Sequence, residues 1–141
     1  MRSSTITATF DTNIETIWNI STNNKDYFWR SDLERIEMID ELTFIEYSRG
    51  GFATTFKITN KIPCQLYQFD MENKFFIGKW QGEYCALNEN QTRLIFTETL
   101  KIYNPLIEFV SYFTMNLKKQ QKLYMTDLAK KLNTTVQLES R

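Results

Sequence analysis

The 141-residue chain contains no histidine. That absence removes the commonest general base, the Ser-His and Cys-His nucleophile pairs, and most zinc and iron sites. Its two cysteines, Cys64 and Cys85, lie far from CxxC spacing and cannot hold a metal alone, so neither metal nor cofactor is expected. No secretory apolar segment stands behind Met1-Arg2-Ser3-Ser4, which predicts reduced thiols and a cytoplasmic location. There is no excess of either charge, with seventeen Lys+Arg against seventeen Asp+Glu. The local run of Lys118, Lys119, Lys122, Lys130 and Lys131 is spread around a helix and reads as a solvated face, so nucleic acid is not an expected partner. No apolar run approaches the roughly 18 residues of a membrane span, and no stable membrane insertion is expected.

What the chain has in quantity is aromatic bulk: eleven Phe, seven Tyr and three Trp, within a hydrophobic share of 42%. Such a sequence is too apolar for disorder, and its length suits one domain. The rings fill either a Phe-rich core or a partly hollow interior that they line.

Along the chain, Thr5–Phe10 alternates with period two and reads as a strand. Asp11 or Thr12 then offers an N-cap, and Thr12-x-x-Glu15 has the form of a capping box. The helix that follows puts Ile14, Ile17 and Trp18 on one face and stops near Ser21-Thr-Asn-Asn24. A second short helical turn carries Tyr27 to Trp29. Strands are predicted at Glu34–Ile39, Thr43–Tyr47, Phe52–Thr59, Gln65–Met71, Phe75–Leu87 and Thr92–Tyr103. Their connections are too short for crossover helices, so the sheet is antiparallel throughout. Pro105 opens one long helix, Leu106 to about Asn133, with Leu106, Phe109, Phe113, Leu117, Tyr124 and Leu128 at three- and four-residue steps. Its first half, Leu106 to Met115, is apolar nearly all round, which implies core packing, a cavity mouth, a dimer contact or a membrane-surface contact. Residues 1–133 form the domain, and 134–141 are expected to fray. A curved sheet with a single long helix needs that helix in its concave face.

The opening Phe10-Asp-Thr-Asn-Ile-Glu-Thr-Ile-Trp18, the aromatic turn ending in Trp29 before Asp32-Leu-Glu-Arg-Ile-Glu37, and Thr92-Arg-Leu-Ile-Phe-Thr-Glu98 before Asn104-Pro105 together resemble the START/Bet v 1-like (SRPBCC) superfamily, in particular its polyketide cyclase/dehydrase-like group. The resemblance implies an α+β helix-grip fold: a curved seven-stranded antiparallel sheet, two short helices and one long C-terminal helix over a hydrophobic cavity. Its members often carry an interior acid or base.

Hairpin arithmetic sorts the side chains. If Asn88 and Gln91 close the last turn, Gln81 lies opposite Glu98 and Glu83 opposite Phe96. One face then holds Phe75, Ile77, Lys79, Gln81, Glu83, Leu94, Phe96, Glu98, Leu100 and Ile102, apolar with a polar middle, and is assigned inward. The other holds Trp80, Tyr84, Ile95, Thr97, Thr99 and Lys101 with Gly78 and Gly82, and suits an exposed surface. A turn at Gly50-Gly51 sets Tyr47 against Phe52 and turns Tyr47, Ile36, Met38, Phe56 and Ile58 inward, joined by Tyr67, Phe69 and Met71.

The expected ligand-binding lining is therefore Phe28, Trp29, Ile36, Met38, Tyr47, Phe56, Tyr67, Phe69, Ile77, Lys79, Gln81, Phe96, Glu98, Phe109, Phe113, Leu117 and Tyr124. Phe28 and Trp29 act as lid or core plug, with Tyr27 near the surface. Lys79, Gln81 and Glu98 form a polar cluster that is either an internal ion pair or the seat of a ligand's polar head. The leading functional expectation is a module binding a hydrophobic small molecule, lipid-like or aromatic, as monomer or homodimer. The rivals are a cyclase/dehydratase-type enzyme working through Glu98 with Lys79 or Tyr67, and a co-chaperone-like interaction protein using an exposed Trp80/Tyr84 strip.

Overall fold

The computed structural model describes residues 1–140. The chain runs β1 (Arg2–Phe10), α1 (Ile14–Ser21), β2 (Leu33–Met38), β3 (Thr43–Ser48), β4 (Ala53–Ile62), β5 (Leu66–Glu72), β6 (Phe76–Asn88), β7 (Gln91–Ile102), α2 (Pro105–Thr114), α3 (Leu117–Lys131) and β8 (Val136–Ser140). All strands belong to one antiparallel sheet in the order β2-β3-β4-β5-β6-β7-β1-β8. Five successive hairpins build β2 to β7, and β1 then closes on β7. Helix α3 lies across the concave face, its Leu117, Met125 and Leu128 buried with Ile6, Phe10, Leu94, Phe96 and Leu100. Each such side chain contributes about 1.5–3 kcal/mol when fully buried.

Four local expectations are corrected. The sheet has eight strands, because the tail expected to fray forms β8. Val136 and Leu138 alternate onto the core opposite Phe10 and Ala8. The turn into β8 is fixed by a Schellman closure: Asn133 sits at φ 52°, its N–H donates to Lys130 O, and Thr134 N–H donates to Ala129 O. The long C-terminal helix is broken at Met115-Asn116. There the Arg2 guanidinium takes the carbonyls of Ser111 and Met115 at 3.1 and 2.8 Å, and the Asn116 side chain caps α3 by accepting from Lys119 N. Asn13, rather than Asp11 or Thr12, caps α1 by accepting from Glu15 N. Tyr27 to Trp29 form a turn, closed by Arg30 N–H to Tyr27 O at 2.9 Å, not a second helix.

Two strand faces are inverted from expectation. Asn88 does oppose Gln91, but a bulge between Ala86 and Asn88 moves every pair below it by one, so that Trp80 faces Glu98 and Gly82 faces Phe96. Trp80 and Tyr84 therefore point inward, while Ile77, Lys79, Gln81 and Glu83 point outward. In the β3–β4 hairpin the loop has three residues, Arg49–Gly51, where the expected pairing of Tyr47 with Phe52 leaves four. Ser48 N–H donates to Phe52 O, and Gly51 supplies a φ of +88°. Phe44 then pairs with Phe56 and Glu46 with Thr54 on the inner face, and Tyr47 turns out. The inner face of β6 is opened by its glycines: a Cβ on Gly82 would stand 2.8 Å from the Trp80 ring.

Candidate functional site

Between the sheet and the helices lie two cavities. The inner one, about 200 Å³, is walled by Phe44, Phe56, Tyr67, Phe69, Trp80, Phe96 and Tyr124 together with Arg30, Asp32, Glu46 and Glu98. The outer one, about 550 Å³, lies under α2 among Phe52, Phe75, Phe76, Leu100, Ile102, Ile107, Val110 and Met115. Thr54, Phe76, Glu98 and Gln120 line both. The two chambers therefore meet at Glu98.

The inner wall is built by rings that hold one another. Phe69 stacks on Trp80 at 4.6 Å, Trp80 meets Phe96 edge-on at 4.4 Å, and Phe96 meets Tyr124 at 5.0 Å. Phe44 stacks on Phe56 at 5.1 Å. Offset and edge contacts of this kind add about 0.5–1.5 kcal/mol each beyond area burial. Toward α1, Asn24 Nδ2 donates to the Tyr67 hydroxyl at 3.0 Å, and Ser21 Oγ and the Tyr84 hydroxyl are 2.6 Å apart. Burial pushes the Tyr67, Tyr84 and Tyr124 hydroxyls up from their ordinary values.

An ion network, mostly buried at Arg30 and Glu46 and half-exposed at Asp32, closes the same chamber. Asp127 of α3 accepts from both the N–H and the hydroxyl of Ser31 at 2.8 Å, which fixes the segment before β2 and turns Arg30 inward. Arg30 Nε and Nη2 donate to the two oxygens of Asp32 at 3.1 and 2.8 Å, and Nη1 donates to Glu46 at 3.1 Å. Its guanidinium lies 4.9 Å over the Tyr124 ring. Burial alone would lower the Arg30 pKa, but the charges of Glu46 and Asp32 prevail and keep it firmly protonated. Glu46 is pushed up by burial, with Arg30 opposing.

Glu98 differs from these groups. Among the described residues no hydrogen bond or ion pair reaches its carboxyl, and its surroundings push it up to about 7, by burial first and by the charge of Glu46 second, with Arg2 and Arg30 opposing. An enclosed carboxyl poised in this way is a common mark of a functional site.

Of the residues expected in the lining, Phe56, Tyr67, Phe69, Phe96, Glu98 and Tyr124 stand on the cavity wall. Leu117 is buried core and Ile36 packs at its margin. Trp29 packs edge-on against Tyr124 at 5.3 Å, behind the wall. The others lie elsewhere. Phe28 is 83% exposed and stacks on Tyr27, so of the two ring residues chosen as lid or plug only Trp29 turns inward. Met38 lies at the exposed edge strand. Tyr47 is under Arg35 on the outer surface, and Ile77 is exposed. Gln81 bonds Gln68 on the convex face. Lys79 is outside, its Nζ 3.5 Å from Asp70, so the expected Lys79–Glu98 pair does not exist. Phe109 and Phe113 point away from the outer chamber, which α2 lines with Ile107 and Val110 instead. Sequence reading missed Arg30, Asp32, Phe44, Glu46, Phe76 and Trp80. The strip Trp80/Tyr84, expected outside, is interior. Among the described residues no group of three potential metal ligands occurs, and no helix is long and apolar enough to cross a membrane.

No protein-family profile and no curated protein matches the chain. Solved structures do. The Zhui aromatase/cyclase from a Streptomyces species superposes with a TM-score of 0.80 at 10% identity over 92% of each chain. A START superfamily protein from Mycobacterium smegmatis gives 0.69 at 12% identity, over 91% of this chain and 97% of that one. An HSP90 activator from Plasmodium falciparum gives 0.65 at 15%, over 97% and 100%. The chain has the START/Bet v 1-like helix-grip fold. At these identities the likeness is one of fold.

Proposed function

We propose that this protein binds a hydrophobic small molecule, lipid-like or aromatic, in the continuous space formed by the two chambers, with the molecule's polar end at Glu98. The observation that carries this reading is the junction itself. Two ring-lined chambers, the outer apolar and the inner carrying the Arg30 network, meet at one half-buried carboxyl that no described residue satisfies and that faces the cavity, free to take a ligand's polar group. The outer chamber lies within the usual range of roughly 300–1,000 Å³ for small-molecule sites. Native mass spectrometry of the purified protein tests it: a bound apolar species is expected, and it should be lost when Val110→Trp fills the outer chamber without unfolding the protein. A ligand-free protein that also takes up no hydrophobic probe contradicts the reading.

A second reading is an acid–base enzyme of the cyclase or dehydratase kind, favoured by one observation. With its pKa at about 7, Glu98 has both protonation states available near neutral pH, as a general acid–base group requires. Of its two candidate helpers, Tyr67 lines the same chamber and Lys79 does not. The co-chaperone alternative loses its only hook, since Trp80 and Tyr84 are interior.

A further inference from the structure

We propose that the polar end of the molecule held at Glu98 is a cation, so that the cavity selects lipophilic amines and rejects lipophilic carboxylates of the same shape. This rests on the binding reading above and adds the sign of the ligand's charge.

Three observations point to it. First, among the described residues lining either chamber, Arg30 is the only cation, against Asp32, Glu46 and Glu98. Second, that cation is already outweighed: three of its five N–H groups go to the carboxylates of Asp32 and Glu46, whose two charges exceed its one, and its face is set over Tyr124. An incoming carboxylate would meet an occupied arginine and a row of acids. Third, the group that does lack a partner is an acceptor when ionised, and it is set among π faces. Trp80 sits directly across the ladder from Glu98, and Phe96 shares its face of β7. Trp80, Phe96 and Tyr124 form a chain of rings in contact. An unpaired carboxylate beside aromatic faces is the chemistry that recognises an ammonium group, which gains a charge-assisted hydrogen bond from the one and a cation–π attraction from the others.

The charges acting on Glu98 are Glu46 of β3, which raises its pKa, and Arg2 of β1 and Arg30 of the segment before β2, which lower it. Asp32 is engaged with Arg30. Tyr67 of β5, Tyr84 of β6 and Tyr124 of α3 stay neutral, and α2 presents Ser111, Thr114 and apolar side chains to this space. Glu98 is therefore the group that titrates near neutral pH, whereas an alkyl ammonium with a pKa of about 10 does not.

Titration calorimetry with phenylbutylamine, phenylbutanol and phenylbutyrate at pH 8 tests the proposal. The expected order is amine, then alcohol, then acid, with amine over acid by about tenfold or more. Glu98→Gln should lower the amine's affinity by about tenfold and the alcohol's, which needs no ionised partner, by much less. In the wild-type protein, amine affinity should rise by roughly tenfold from pH 6 to pH 8 as Glu98 ionises, while the alcohol's stays flat. That arm needs no variant. An acid that binds as well as the amine, or a loss in Glu98→Gln shared by all three probes, overturns the charge selection while leaving the cavity reading intact. Failure of all three probes to bind overturns both.

Discussion

The inner and outer chambers are built by different means. The inner one is enclosed by rings that touch in sequence and by an arginine whose nitrogens are all engaged, each held by groups from separate strands and from α3. The outer one is roofed by α2, which shows Leu106, Phe109 and Phe113 to solvent at 70, 63 and 79% exposure and is tied at its C-terminal end by a single guanidinium, Arg2. The same apolar grip thus has a fixed end and an end whose cover is held by few contacts. Openings of low free energy fall where buried contacts are few, so entry is expected beneath α2 and recognition at the inner end.

The contrast is broken most forcefully at Arg30. Arg30→Met leaves Glu46 and Asp32 without their partner, and chemical denaturation should show a loss of about 3–5 kcal/mol, most of it recovered in the Arg30→Met/Glu46→Gln pair. A loss below about 1 kcal/mol would mean that the network contributes little to the inner end. Glu98 sharpens the comparison at the junction. Its pKa is higher folded than unfolded, so its contribution to stability is complete below about pH 4.5 and is lost as pH rises through about 7. Between those limits the wild-type protein should lose up to about 2–3 kcal/mol relative to Glu98→Gln in urea titrations, a difference that a normal carboxylate would not show. Gly82→Ala, which drives a methyl against Trp80 and Phe96, should cost about 1–3 kcal/mol by overpacking the inner wall. At the outer end, Arg2→Ala should speed amide exchange in α2 by about tenfold while global stability falls by no more than about 1 kcal/mol. The smallest effect belongs to Lys79→Ala on the convex face, within about 0.5 kcal/mol, as for any exposed pair.

How much of this was legible in the sequence depends on turn chemistry. The first seven strands and the inward face of β7 follow from alternation, since Leu94, Phe96, Leu100 and Ile102 leave Glu98 no other side. The neighbouring strand was misread although its turn residues were correctly placed, because one bulged residue near Leu87 inverts every side chain below it. Gly78 and Gly82 beside Trp80 were the available signal: a large ring needs small neighbours on the face where it lies flat. The β3 face failed for a similar reason, a loop of three residues where the pairing of Tyr47 with Phe52 assumed four, and so Phe44 and Glu46 were missed. A charged loop residue such as Arg30 ordinarily belongs to a solvated rim. What turns it inward is Asp127 holding Ser31 across a long sequence separation, which no local pattern reveals. The helix break at Asn116 depends likewise on Arg2, from the other end of the chain.

A molecule with its polar end at Glu98 must occupy the two chambers as one site. Nuclear magnetic resonance titration of the labelled protein with phenylbutanol, a neutral probe, tests this directly. The prediction is that the backbone amides of Thr54, Phe76, Glu98 and Gln120 and the Trp80 indole shift together along one saturation curve, with Val110→Trp abolishing all of them. Shifts confined to the exposed row of α2, or separate curves for the inner and outer residues, would contradict it.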